Sequence, residues 1–93
     1  LKTDSFKTGS ASSSTITVTE ESHGRSTSDT VRFYDAIGFD GITATNINRS
    51  AGYTITVVDA DTYTFSVSTD TATTGNIRGG GFRSYAGPVT ITP

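Results

Sequence analysis

The chain has no cysteine, no methionine and no tryptophan, and it has one histidine and two prolines. Without cysteine there can be no disulfide framework and no thiolate metal site. With His23 as its only imidazole, the chain cannot supply the usual zinc ligand sets. Charge is also scarce. Charged residues make up 17% of the chain and the net charge is -2. Its five Arg and two Lys are scattered along the chain, whereas phosphate backbones select clustered cations, so nucleic acid is not an expected partner. No apolar run approaches the roughly 20 residues of a membrane-spanning helix, so no membrane partner is expected either. A chain that starts at Leu1 and lacks methionine reads as a processed product or a piece of a longer polypeptide.

Hydroxyls are abundant instead. Ser and Thr make up a third of the 93 residues, and Thr suits a pleated, half-buried surface. The hydrophobic fraction is only 32%. A domain of this size buries about 60% of the surface its unfolded chain would expose, so a thin core that gains from neighbours is expected.

The dominant pattern is alternation with period two. STITVTE (14–20) sets Ile16 and Val18 on one face, and DTVRFYD (29–35) does the same for Val31 and Phe33. GYTITVVD (52–59) aligns Tyr53, Ile55 and Val57, and TYTFSVS (62–68) aligns Tyr63, Phe65 and Val67. PVTITP (88–93) pairs Val89 with Ile91; NIRGGGFRSY (76–85) is a weaker strand, and the opening residues add an arm or an edge strand through Phe6. Asp59-Ala60-Asp61 between two strong strands reads as a hairpin turn closed by the Asp59 carboxylate. Residues 36–48 lack alternation; Gly38 and Gly41 suggest a loop, with one helical turn over 43–48. The expectation is an all-β domain of about six strands, a small antiparallel barrel or sandwich spanning 12–93, preceded by residues 1–11.

Three stretches together carry a family resemblance: STITVTEESHGRSTSDTVRF, then GITATNINRSAGYTITVVDADTYTFSVS, then TATTGNIRGGG. Their order of strand, His-Gly turn, Asp-x-Val-x-Phe and Asp-x-x-Thr-Tyr-Thr-Phe resembles a β-module of tailed-phage virion proteins. It is also similar to the small barrel named after the first catalytic cysteine half-domain of ubiquitin-activating enzymes. The resemblance covers about residues 12–81. It implies a structural module of a virion (tail, baseplate, fibre or head decoration) with no catalysis of its own. The partners implied are other virion proteins and copies of itself. Ser28 stands where the family commonly has Gly, at a turn that usually takes left-handed backbone, a conformation that is harder for serine.

Several residues invite a chemical reading. His23 lies among Ser22, Ser26 and Ser28, with Asp29 and Asp35 nearby, which suggests a general base, a nucleophile and an orienting carboxylate. No Gly-x-Ser-x-Gly elbow is present, and the favoured reading makes His23, Gly24 and Asp29 turn residues. Asp59 and Asp61, with Asp35 or Asp40, are oxygen ligands suited to calcium, but no Asp-x-Asp-x-Asp-Gly loop is present and turn capping is favoured. The glycines of GNIRGGGF (75–82) lack the following Lys-Ser/Thr of a phosphate loop, so they read as sites of a bend or of close chain approach. Arg78 and Arg83 flank them as candidate interface cations. Tyr34 and Tyr85 are the tyrosines expected at the surface, as protein contacts or as a stacking platform for a host glycan. No cofactor is expected, and the location implied is the virion.

Overall fold

The computed structural model describes residues 1, 3–67 and 69–87. Within them the elements run β1 (Phe6–Thr8), β2 (Thr15–Thr19), β3 (Thr30–Tyr34), α1 (Ala44–Ile47), β4 (Tyr53–Thr54), β5 (Thr56–Asp59), β6 (Thr62–Ser66), β7 (Arg78–Gly79) and β8 (Tyr85–Gly87). The strand expected over 88–93 lies outside the described residues.

All the ladders are antiparallel, and they make two sheets: five strands in the order β5-β6-β2-β1-β7, and three in the order β4-β3-β8. Among the described residues neither sheet closes on itself, so they form a small two-sheet all-β domain and not a closed barrel. The alternation read from sequence sets the inner faces. Ile16, Val18, Val31, Phe33 and Tyr63 are fully buried, and Tyr53, Ile55 and Phe65 nearly so. Phe33 from the smaller sheet joins the two layers. Its ring stacks 4.8 Å from Phe65 and meets Phe6 edge-on at 5.1 Å, both on the larger sheet. Aromatic pairs of this kind add about 0.5–1.5 kcal/mol beyond the area they bury.

Three features differ from the sequence reading. β1 is not at an edge; it pairs with β2 on one side and β7 on the other, because Phe6 is a core residue with no exposure. The run 52–59 is two strands, not one. β4 belongs to the smaller sheet and β5 to the larger, with Ile55 at the corner between them. The alternation is unbroken because both sheets face the same core. The run 76–85 is likewise divided. Gly80 and Gly81 take φ of 103° and 77°, which ends β7 before β8 begins.

The helical turn is α1, capped by Thr43, whose hydroxyl accepts from the Asn46 N–H. It seats Ile47 in the core. Asn48, just past it, clasps Ala36 by accepting from its N–H at 3.0 Å and donating to its carbonyl at 2.9 Å. That clasp fixes the loop leading out of β3.

Candidate functional site: the turn around His23 and the surface beyond β3 and β8

Both ring nitrogens of His23 are held by the main chain. Nδ1 accepts from the Arg25 N–H at 2.9 Å, and Nε2 lies 2.7 Å from the Asp59 carbonyl, to which it must donate. The two contacts together select the tautomer protonated on Nε2. The ring also meets Tyr63 edge-on at 5.2 Å. A general base needs one nitrogen facing a hydroxyl and the other facing a carboxylate, and His23 has neither arrangement. Asp29 instead accepts from the Ser26 N–H at 2.9 Å, and Asp35 lies exposed just past the C-terminal end of β3.

Gly24 has φ 64° and Ser28 has φ 78°. Ser28 therefore takes the left-handed backbone without being glycine. Its N–H donates to the Ile55 carbonyl and the Ile55 N–H donates to the Asp29 carbonyl, so the segment from Ser28 binds the corner where the chain changes sheets. The Thr27 hydroxyl accepts from the Val57 N–H at 3.0 Å, which occupies part of the outer edge of β5.

Next to His23 is a half-buried polar network. The Tyr63 hydroxyl donates to Glu20 at 2.8 Å, and Arg25 donates to both Glu20 carboxylate oxygens at 2.9 and 3.3 Å. Burial pushes the Glu20 carboxyl up, but the hydrogen bonds from Arg25 and Tyr63 outweigh it and leave the pKa below the ordinary value. The Tyr63 hydroxyl is pushed well above the ordinary phenol value, first by burial and then by Glu20.

The acidic residues read as possible calcium ligands are scattered among backbone donors. Asp59 accepts from the Asp61 N–H at 2.9 Å and the Thr62 hydroxyl at 2.6 Å, closing the β5–β6 hairpin. Asp61 accepts from the Ser22 N–H at 3.0 Å. Asp40 accepts from the Thr8 hydroxyl and from the N–H groups of Thr74 and Gly75. Among the described residues no three acidic or His side chains are placed to hold a metal ion.

The glycines of 75–82 admit this chain's own residues. A Cβ on Gly79 would strike the Phe39 ring, one on Gly80 the Phe6 ring, and one on Gly75 the backbone of Gly9, Ser10 and Ala11. Arg78 is exposed on β7, paired in register with Lys7.

The remaining candidates gather at one end of the smaller sheet. Tyr34 and Tyr85 are direct cross-strand partners, and their rings stack at 4.7 Å, 8° from parallel. The Arg32 guanidinium lies 4.5 Å from the Tyr34 ring centre. Just past them, Asp35, Ile37, Gly81, Phe82 and Arg83 line an open, largely apolar hollow of about 260 Å³. Ile37 is 59% exposed and Phe82 70% exposed. The sequence reading had missed Ile37 and Phe82, because Ile37 falls in a stretch without alternation and Phe82 in a weak, glycine-rich run, and only the fold brings the two loops together. No family model matches the chain, and no curated protein and no solved structure matches it either.

Proposed function

We propose that this chain is a non-enzymatic structural module of a bacteriophage virion that mediates protein–protein assembly in the tail, baseplate or head decoration. One surface carries the assembly reading: Ile37, Phe82 and Tyr85 expose large apolar area at β8 and the loops near it, and among the described residues β8 is an outer strand of its sheet. An outer strand offers unpaired backbone groups to a neighbouring chain, and exposed aromatics give such contacts most of their energy. We read the two facing sheets as a small sandwich whose thin core gains stability when that surface is covered. The phage assignment rests on the resemblance of residues 12–81. It is supported by the roles of the motif residues, since Gly24 and Asp59 shape turns while Val31, Phe33, Tyr63 and Phe65 fill the core.

The test is to incubate purified particles that lack the chain with the isolated protein and with a Phe82→Ser variant. Saturable binding that weakens in the variant is expected. No binding to any tail, baseplate or head assembly would reject the reading. A second reading, a host-glycan platform, is favoured by the Tyr34–Tyr85 stack, with Tyr85 half-exposed. A glycan titration repeated with Tyr34→Ala and Tyr85→Ala separates the two readings.

A further inference from the structure

We propose that the hollow beyond β3 and β8 is a self-complementary contact through which two copies of this chain pair. This rests on the assembly reading above and names the partner of its surface.

The hollow carries opposite charges on one rim. Asp35 and Arg83 both line it, yet no ion pair joins them among the described residues. The Arg83 guanidinium lies instead 5.4 Å from the centre of the Phe82 ring. Asp35 is held at φ 56°, a backbone conformation that is strained for a residue other than glycine. The same rim therefore presents a cation, an anion, a projecting ring in Phe82 and an apolar wall in Ile37.

That combination selects the occupant. A uniformly acidic or basic partner would match one rim charge and oppose the other. A membrane or a purely apolar ligand would match neither. A second copy related by a two-fold axis matches both, because in an isologous contact whatever residue i of one copy makes with residue j of the other is repeated by j with i, so the cation meets the anion twice. Arg83 then faces Asp35 of the partner subunit, and Phe82 packs over Ile37 of the partner subunit. A hollow of about 260 Å³ is smaller than the usual 300–1,000 Å³ of a small-molecule site and suits a single inserted side chain. Among the described residues β8, which follows the hollow's Arg83 closely in the chain, is an edge strand of its sheet.

The test is sedimentation velocity from about 1 µM to about 1 mM, a range that brackets weak and moderate dimers. The wild-type chain is expected to dimerise with rising concentration. Phe82→Ser should weaken pairing about tenfold or more, as loss of a central aromatic does. Asp35→Arg alone and Arg83→Asp alone should each weaken it by placing like charges together. The double exchange Asp35→Arg/Arg83→Asp should restore it to within about threefold of wild type. Far-UV circular dichroism checks that these surface variants stay folded. A chain that is monomeric at the highest concentration overturns the proposal, as does a dimer indifferent to all three single changes. Failure of the double exchange to rescue overturns it too. A monomer that still binds phage particles would overturn self-pairing and leave the assembly reading standing.

Discussion

Gly80 lies against the ring of Phe6, so close that a Cβ at Gly80 would overlap it. Gly80 also holds φ at 103°, which side-chain-bearing residues rarely adopt. Two independent constraints therefore exclude any other residue. Gly80→Ala is expected to lower stability by about 2–4 kcal/mol, combining backbone strain with overpacking of a buried aromatic. Urea denaturation measures it, and Gly24→Ala is the control: it shares the positive φ but has open space around it.

Ser28 adopts φ 78° with a side chain that left-handed backbone disfavours. Glycine at this position relieves about 1–2 kcal/mol of strain and gives back part of it in chain entropy. Ser28→Gly should therefore stabilise the fold by up to about 1 kcal/mol, whereas the β-branched Ser28→Val should destabilise it. A pair of thermal melts distinguishes these outcomes.

Glu20 is held below its ordinary pKa by Arg25 and Tyr63 despite its burial. A carboxyl whose folded pKa is depressed adds stability above its unfolded value, near 4.5, and that stability is lost as the pH falls through the folded value. Glu20→Gln is expected to lose about 1 kcal/mol at pH 7, a figure kept low for partial solvent screening. The gap from wild type should close as the pH falls below about 4.5 and through the depressed folded value, where the native carboxyl becomes protonated too. Denaturation curves at several pH values check this. Asp40, Asp59 and Asp70 are depressed in the same direction by hydrogen bonds and steepen the acid limb of the wild type.

His23 is expected to show an unprotonated Nδ1 and a protonated Nε2 in imidazole nitrogen NMR of the neutral protein. His23→Ala removes one clasp between the 20–29 segment and the hairpin and should cost about 1 kcal/mol, with the fold retained. A signal from the opposite tautomer would contradict the geometry.

The sequence was most legible where each side chain answers to one local rule. In TITVT and TVRFY the inward residues follow from period two alone, and the Asp59 turn from its spacing. The sheet change at Ile55 left no trace in the sequence, because a strand that crosses from one sheet to another keeps its inward residues facing the same core. β1 read as marginal because its three residues carry one large apolar group; Phe6 earns its central place through contacts with Phe33 and Phe65, distant in sequence. The environment of His23 was hidden for the same reason. Its neighbours in the sequence are Ser and Asp, but its ring is held by the carbonyl of a residue 36 positions away. The hollow needs residues from the loops after β3 and before β8, and no single segment carries its pattern.

The pairing of Lys7 with Arg78 has a temporal consequence. As the chain leaves the ribosome, β1 can find β2 early but must wait for residues near 78 before its other side is covered. Until then the segment around Phe6 has an unsatisfied edge and an aromatic ring without its lid. Topologies that join such distant positions fold slowly, on the order of milliseconds to seconds for small β-domains. Vectorial synthesis therefore leaves this chain with a nascent interval in which its first strand is the most exposed to mispairing.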